Sequence, residues 1–138
     1  MSDKIKQSLI GGIVGTAAMT LITWMAPLMG FPKMSPPEML AGMLGLPVFA
    51  GWIMHFMIGI IFAFAYTYLF APNVKISNIF LKGAVFGFVV FIFAQIMMAI
   101  MGAMLPMPKM EGSMMLMMIG SIMGHIIFGM AVSRTVKF

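Results

Sequence analysis

The chain has 138 residues, of which 62% are hydrophobic and only 8% charged, and its mean hydropathy is +1.11. A soluble domain of this length needs far more charge to cover its surface, so the composition specifies one compact integral membrane domain, here residues 1–138. Cysteine is absent, which excludes disulfides, thiolate metal sites and thiol nucleophiles.

The polar head "MSDKIKQS" leads into a first apolar run, Leu9–Met29. It resembles a signal peptide only superficially: the run is too long for an h-region and lacks a small-x-small cleavage site, so a retained helix is expected. The following loop, "SPPEMLAGMLG", offers Ser35 as N-cap, prolines at the first helical positions and Glu38 three residues after the cap. That is a capping-box arrangement. A short helix, apolar through Met39, Leu40, Met43 and Leu44, should lie flat at the interface. A second run, Val48–Phe70, is followed by the polar turn "APNVKISN" and a third run, Ile79–Gly102. The loop "PMPKMEGS", less suited to a helix, leads to the fourth run, Ser113–Ser133. Each run is long enough to cross a hydrocarbon core of about 30 Å as a helix. Trp24 and Trp52 flank the outer ends of the first two, as interfacial indoles do.

The charges specify an orientation. Lys4, Lys6, Lys75, Lys82, Arg134 and Lys137 fall on one side, and Lys33 and Lys109 on the other. The positive-inside rule puts the six in the cytoplasm, with both termini, in a multi-pass protein of the inner membrane. Glu38 and Glu111 neutralise the outer loops. The formal charge of +5 is therefore a topology signal, and no nucleic acid is expected as a partner.

The halves 1–72 and 73–138 repeat one pattern. "GGIVGTAAM", "PKM" at Pro32–Met34 and "HFMIG" at His55–Gly59 correspond to "KGAVFGFVV", "PKM" at Pro108–Met110 and "HIIFG" at His125–Gly129. Each half is an out-and-back hairpin, so the copies are parallel and related by an axis along the membrane normal. The expected fold is all-α: four transmembrane helices in two parallel-repeat hairpins.

The stretch "APLMGFPKMSPPEMLAGMLG", followed by "GWIMHFMIGIIFAFAY", resembles a group of small bacterial four-helix membrane proteins known as a domain of unknown function. The resemblance covers most of the first half and is looser in the second. It implies a four-helix membrane fold and supplies no activity, cofactor or catalytic residue.

Function must be read from two residue types. Of the 21 methionines, 18 lie in Met19–Met57 or Met97–Met118, and Ile58–Ile96 holds none. In the stretch "QIMMAIMGAMLPMPKMEGSMMLMM" five recur at every third position from Met98 to Met110. Thioethers are soft neutral ligands for Cu(I) or Ag(I), which makes Met54, Met57, Met98, Met101 and Met104 candidate metal ligands. Methionine is also a flexible filler of apolar gaps and docking surfaces. Period-three spacing does not stay on one helical face, and Pro106 and Pro108 interrupt any helix there. Both readings stay open.

The only two histidines, His55 and His125, lie within spans at matching positions of the repeat, each followed one turn on by a glycine. Ionisable residues in a membrane usually face a bundle interior or a water-filled cavity. Two imidazoles meeting across a pseudo-two-fold axis are what bis-histidine haem b requires, and Lys33 and Lys109 would then hold its propionates. Against this, His55 is about the eighth residue of its helix and His125 about the thirteenth, an offset of about 7 Å at 1.5 Å per residue. A proton relay, copper, or a neutral histidine bonded to a carbonyl or hydroxyl are the other readings. Asp3, Glu38 and Glu111 are the only carboxylates, so no acid/base pair, catalytic triad or hard-metal cluster can be assembled. Thr16, Thr20, Thr23 and Gln95 read as interhelical hydrogen-bond partners, and Gly11, Gly12, Gly15, Gly83 and Gly87 as close-packing positions. The sequence therefore points to a non-enzymatic membrane protein with a haem b or Cu(I) site in the outer half. The alternatives are an accessory subunit of a larger membrane complex, a homo-oligomer without cofactor, and a small transporter.

Overall fold

The computed structural model describes residues 2–138. Helix α1, Asp3–Met25, begins where the Ser2 hydroxyl accepts from the Ile5 N–H at 3.4 Å. It tightens into a 3₁₀ turn, Ala26–Met29, and stops at Gly30, whose φ of 89° suits glycine. The helix starts six residues before the apolar run. Ser8, in that polar head, is fully buried and hydrogen-bonded to Thr67 at 2.8 Å, so tertiary packing extends the helix beyond its apolar part.

Helix α2, Pro36–Leu44, starts and stops at the expected signals: the Ser35 hydroxyl accepts from the Glu38 N–H at 3.4 Å, and Gly45, at φ 64°, ends it. Only this half of the expected capping box forms, because the Glu38 carboxylate turns to Lys33 at 3.6 Å. Helix α3 runs Val48–Ala65, widens into a π segment, Tyr66–Phe70, and ends with a turn at Ala71–Asn73. Pro72 lies just past the wide segment; in a regular helix its ring would crowd the Tyr68 carbonyl. Helix α4, Ile79–Met104, is capped by Asn78, whose Oδ1 accepts from the Phe80 and Leu81 N–H groups, both at 3.0 Å. It ends before Pro106, since the residue preceding a proline disfavours helix. Helix α5, Met114–Thr135, is capped by Ser113 and carries Arg134 in its last turn, where a cation suits the helix dipole. α1 with its 3₁₀ turn, α3 with its extension, α4 and α5 are each long and apolar enough to cross a membrane.

Glycines set the packing. A Cβ on Gly12 would lie 2.5 Å from Ile60 Cα, and one on Gly59 would overlap Thr16, so α1 and α3 cross closely there. α4 and α5 cross in the same manner, Gly83 and Gly87 facing Gly129, Ser133 and the His125 carbonyl. α1 also packs along α5, with Gly15 against Phe128 and Val132. All three pairs are antiparallel, and the helices lie side by side in the order α3, α1, α5, α4. The termini meet where the Lys137 N–H donates to Gln7 Oε1 at 2.8 Å. That end, with the α3–α4 turn, is the terminal side, and the opposite end is the loop side.

The apolar core, built around Ala63, Tyr66, Phe86, Val90, Phe128 and Val132, lies toward the terminal side. The outward faces are apolar as well: Trp24, Leu28 and Phe49 are more than two-thirds exposed. Such a surface matches a hydrocarbon surround and not water.

Candidate functional site

The loop-side half holds the polar residues singled out by the sequence. His55, on α3, is buried at 7% exposure, four residues before the Gly59 crossing that draws α3 onto α1. Its Nε2 lies 3.0 Å from Thr20 Oγ1. Thr20 donates its single hydroxyl proton to the Thr16 carbonyl at 2.7 Å. The network therefore assigns the proton to His55 Nε2, which donates to Thr20, and leaves Nδ1 as a lone pair in the neutral ring. Thr23 donates to the Thr20 carbonyl at 3.1 Å, so the three threonines form one polar strip on α1. Trp52 and Phe56 flank the imidazole at 6.4 and 6.0 Å between ring centroids.

His125, on α5, is half-buried beside Phe91 of α4, with centroids 5.8 Å apart. Its Nδ1 donates to the Ser121 carbonyl at 2.7 Å. That bond fixes the opposite tautomer, with the lone pair on Nε2, the way metal-ligating histidines are commonly oriented. Each imidazole thus keeps one uncommitted nitrogen. No hydrogen bond or ring pairing joins the two histidines among the described residues.

The offset in depth expected from residue counts is small where both helices meet α1. His55 bonds to Thr20, while a Cβ on Gly124, the neighbour of His125, would lie 3.1 Å from Thr23 Cγ2 and 3.4 Å from Met19 Cγ. Both histidines belong to the level of Met19–Thr23.

The first loop roofs this region. Met34 packs closely over Gly120, with Phe31 3.5 Å from where a Cβ there would sit; Pro32 covers Gly112, and the Pro37 carbonyl sits against Gly51. Leu40, Ala41 and Met43 of α2 are buried. The second loop joins the roof through Pro108, 3.2 Å from where a Cβ on Gly42 would sit. One small cavity beneath, of about 10 Å³, is lined by residues including Thr23, Phe31, Gly120 and Met123.

The other candidates are placed as follows. Lys33 pairs with Glu38 at 3.6 Å, both exposed, and Lys109 is exposed on the second loop. Met54, Met98 and Met101 are half-buried, whereas Met57 and Met104 are exposed on the outward faces. The buried thioethers are Met19, Met43 and Met117. Met19 and Met34 sit against the helix that carries His125, at Gly124 and Gly120. Neither was among the candidate ligands, because each lies outside the dense methionine stretch. Among the described residues, no three histidine or carboxylate side chains gather as a hard-metal set would.

No curated protein and no solved structure matches the chain. A family model does, over residues 2–138, and it covers the roof, the threonine strip and both histidines alike. The chain belongs to that family, described as a family of unknown function (DUF6789).

Proposed function

We propose that this is a multi-pass membrane protein of the inner membrane, both termini cytoplasmic, that binds a soft monovalent metal ion of the Cu(I) class in its loop-side half. The observation that carries this reading is the pair of lone-pair nitrogens, His55 Nδ1 and His125 Nε2, on rings oriented by separate hydrogen bonds, His55 to Thr20 of α1 and His125 to the Ser121 carbonyl of its own helix. Imidazole and thioether are the donors such an ion accepts. Met19 and Met34 supply sulfurs beside α5, and half-buried Met54, Met98 and Met101 supply others in the same half. Met57 and Met104, being exposed, serve as contact surface. Haem b is the weaker ligand: Met34, Pro32 and Pro108 of the loops pack directly onto the helix ends, so a macrocycle requires the roof to lift. Lys33 and Lys109 would meet haem propionates only in that lifted state. The matched glycine crossings, Gly12 with Gly59 and Gly83 with Gly129, support an ancestral duplication of the halves 1–72 and 73–138.

An accessory or homo-oligomeric role is the second reading. It is favoured by one observation, the open side between α3 and α4, where large apolar residues such as Ile61 and Phe93 stay exposed.

Titration of the purified protein with Ag(I), a redox-inert substitute for Cu(I), tests the metal reading. One ion should bind, and His125→Ala should weaken binding at least about tenfold, the scale of a lost ligand or its support. Failure of the unaltered protein to retain Ag(I), or equal binding by the variant, overturns the reading. A Soret band in the protein as isolated replaces it with haem.

A further inference from the structure

Along the terminal-side halves of α3 and α4 runs an apolar groove of about 490 Å³ whose walls include Phe62, Ala65, Phe70, Phe86, Val90 and Phe93. The volume falls in the range of about 300–1,000 Å³ usual for small-ligand sites. Every lining residue is apolar. The π segment of α3 contributes Leu69 and Phe70 to one wall. The opposing walls come together through rings, Phe62 with Phe93 at 5.6 Å and Phe70 with Phe86 at 5.0 Å between centroids. Those ring contacts close the floor of the groove, so an occupant lies along the rings, as one extended hydrocarbon chain can, and does not pass between them.

The mouth of the groove is basic. Lys82 lies on α4 one turn before Phe86, on the same face, and its Nζ donates to the Ala71 carbonyl in the last turn of α3 at 2.8 Å. An ammonium group has three N–H donors, so two remain. Lys4 reaches the same place: its Nζ lies 5.0 Å from the centroid of the Phe138 ring, and that of Lys82 lies 6.0 Å from it. Lys75 is exposed on the connecting turn. Of the three carboxylate side chains only Asp3 belongs to this end.

We infer that the groove takes one acyl chain of an anionic phospholipid, with Lys82 and Lys4 holding the headgroup phosphate. Basic residues between spanning helices at the membrane surface recognise such headgroups by charge and hydrogen bonding. The inference rests on the four helices being membrane spans, and assembly of the protein into a lipid nanodisc tests that premise separately.

Native mass spectrometry of the full chain, ejected from nanodiscs of equimolar phosphatidylcholine and phosphatidylglycerol, tests the inference. The unaltered protein should leave as a monomer carrying one phosphatidylglycerol, preferred at least about fivefold, the weight of one lysine near an anionic surface. Lys4→Gln with Lys82→Gln should bring the preference close to one, and Lys82→Arg should keep it. Ala65→Trp, which fills the groove, should lose bound lipid of both kinds, with circular dichroism confirming retained helix. A monomer without lipid, equal retention of the two lipids, a lipid-free dimer, or an undiminished preference in the double glutamine variant would each overturn the inference. If Ala65→Trp fails to fold, the lysine variants still decide.

Discussion

The imidazole of His55 sits 3.0 Å from the hydroxyl of Thr20, and that hydroxyl is itself anchored to the Thr16 carbonyl at 2.7 Å. A carbonyl on α1 therefore determines, through one threonine, which nitrogen of a histidine on α3 carries the proton. Ser121 plays the corresponding part for His125 through its own carbonyl, on the same helix as the ring. The two halves reach opposite tautomers by different routes, and the uncommitted nitrogens differ accordingly.

Thr20→Val tests that relationship at nearly constant shape. It removes the acceptor of the His55 N–H and strands a donor in a largely apolar interior, which costs about 1–3 kcal/mol. Thermal unfolding followed by circular dichroism in detergent should show the loss, and Thr20→Ser should recover most of it. Equal stability of the valine variant would mean that the bond is not formed.

The glycine crossings yield a contrast within one residue type. Gly87→Ala drives a methyl group into the His125 carbonyl, and Gly129→Ala drives one into the Gly83 carbonyl. Backbone cannot yield as a flexible side chain can, so each should cost about 1–3 kcal/mol or more. Gly30 has open space around it and a φ of 89°, so Gly30→Ala meets only the left-handed penalty of about 1–2 kcal/mol. Of the three variants, Gly30→Ala should lower the unfolding midpoint least.

Topology is testable with little background because the chain has no cysteine. Single substitutions Ser2→Cys, Ser77→Cys, Ser35→Cys and Ser113→Cys place one thiol at each end or turn, exposed at 2, 77 and 113 and half-buried at 35. A maleimide that cannot cross the membrane, added to intact cells stripped of outer envelope, should label the thiols at 35 and 113 and spare those at 2 and 77. The reverse pattern inverts the orientation read from the lysines and arginine.

Much of this architecture was legible beforehand. The apolar runs, the Ser35 cap, the Glu38 spacing and the stop at Pro106 are local signals, each with a direct physical cause, and each lies where expected. The glycines read as packing positions do pack, and Thr16, Thr20 and Thr23 face the interior. The order α3, α1, α5, α4 was not legible. Helices apolar on every face carry no stripe to say which side meets a neighbour, and shape at a few small residues decides instead. The π segment was hidden for a similar reason, since Tyr66–Phe70 reads as ordinary apolar helix. Met19 and Met34 were obscured by the denser stretch elsewhere, for thioether count says nothing of which sulfurs are buried.

Ser8 and Thr67 provide the last test. Both are fully buried. Thr67 donates to the Ala63 carbonyl at 2.9 Å, so the hydroxyl of Ser8 is the donor in the 2.8 Å bond between them, with the Lys4 carbonyl an alternative acceptor at 2.7 Å. Thr67 lies in the π segment, and the bond ties that wide turn to the polar head of α1 that the apolar pattern left out. Ser8→Ala and Thr67→Val should each destabilise the protein, and the double variant should lose less than the sum of the two. The difference, the coupling of the pair, should be about 0.5–1.5 kcal/mol, the net worth of one buried hydrogen bond. Strict additivity would mean that Ser8 gives its proton wholly to the Lys4 carbonyl. The N-terminal turn of α1 would then be held by its own backbone, and proteolysis of that turn should be no faster in Thr67→Val than in the unaltered chain.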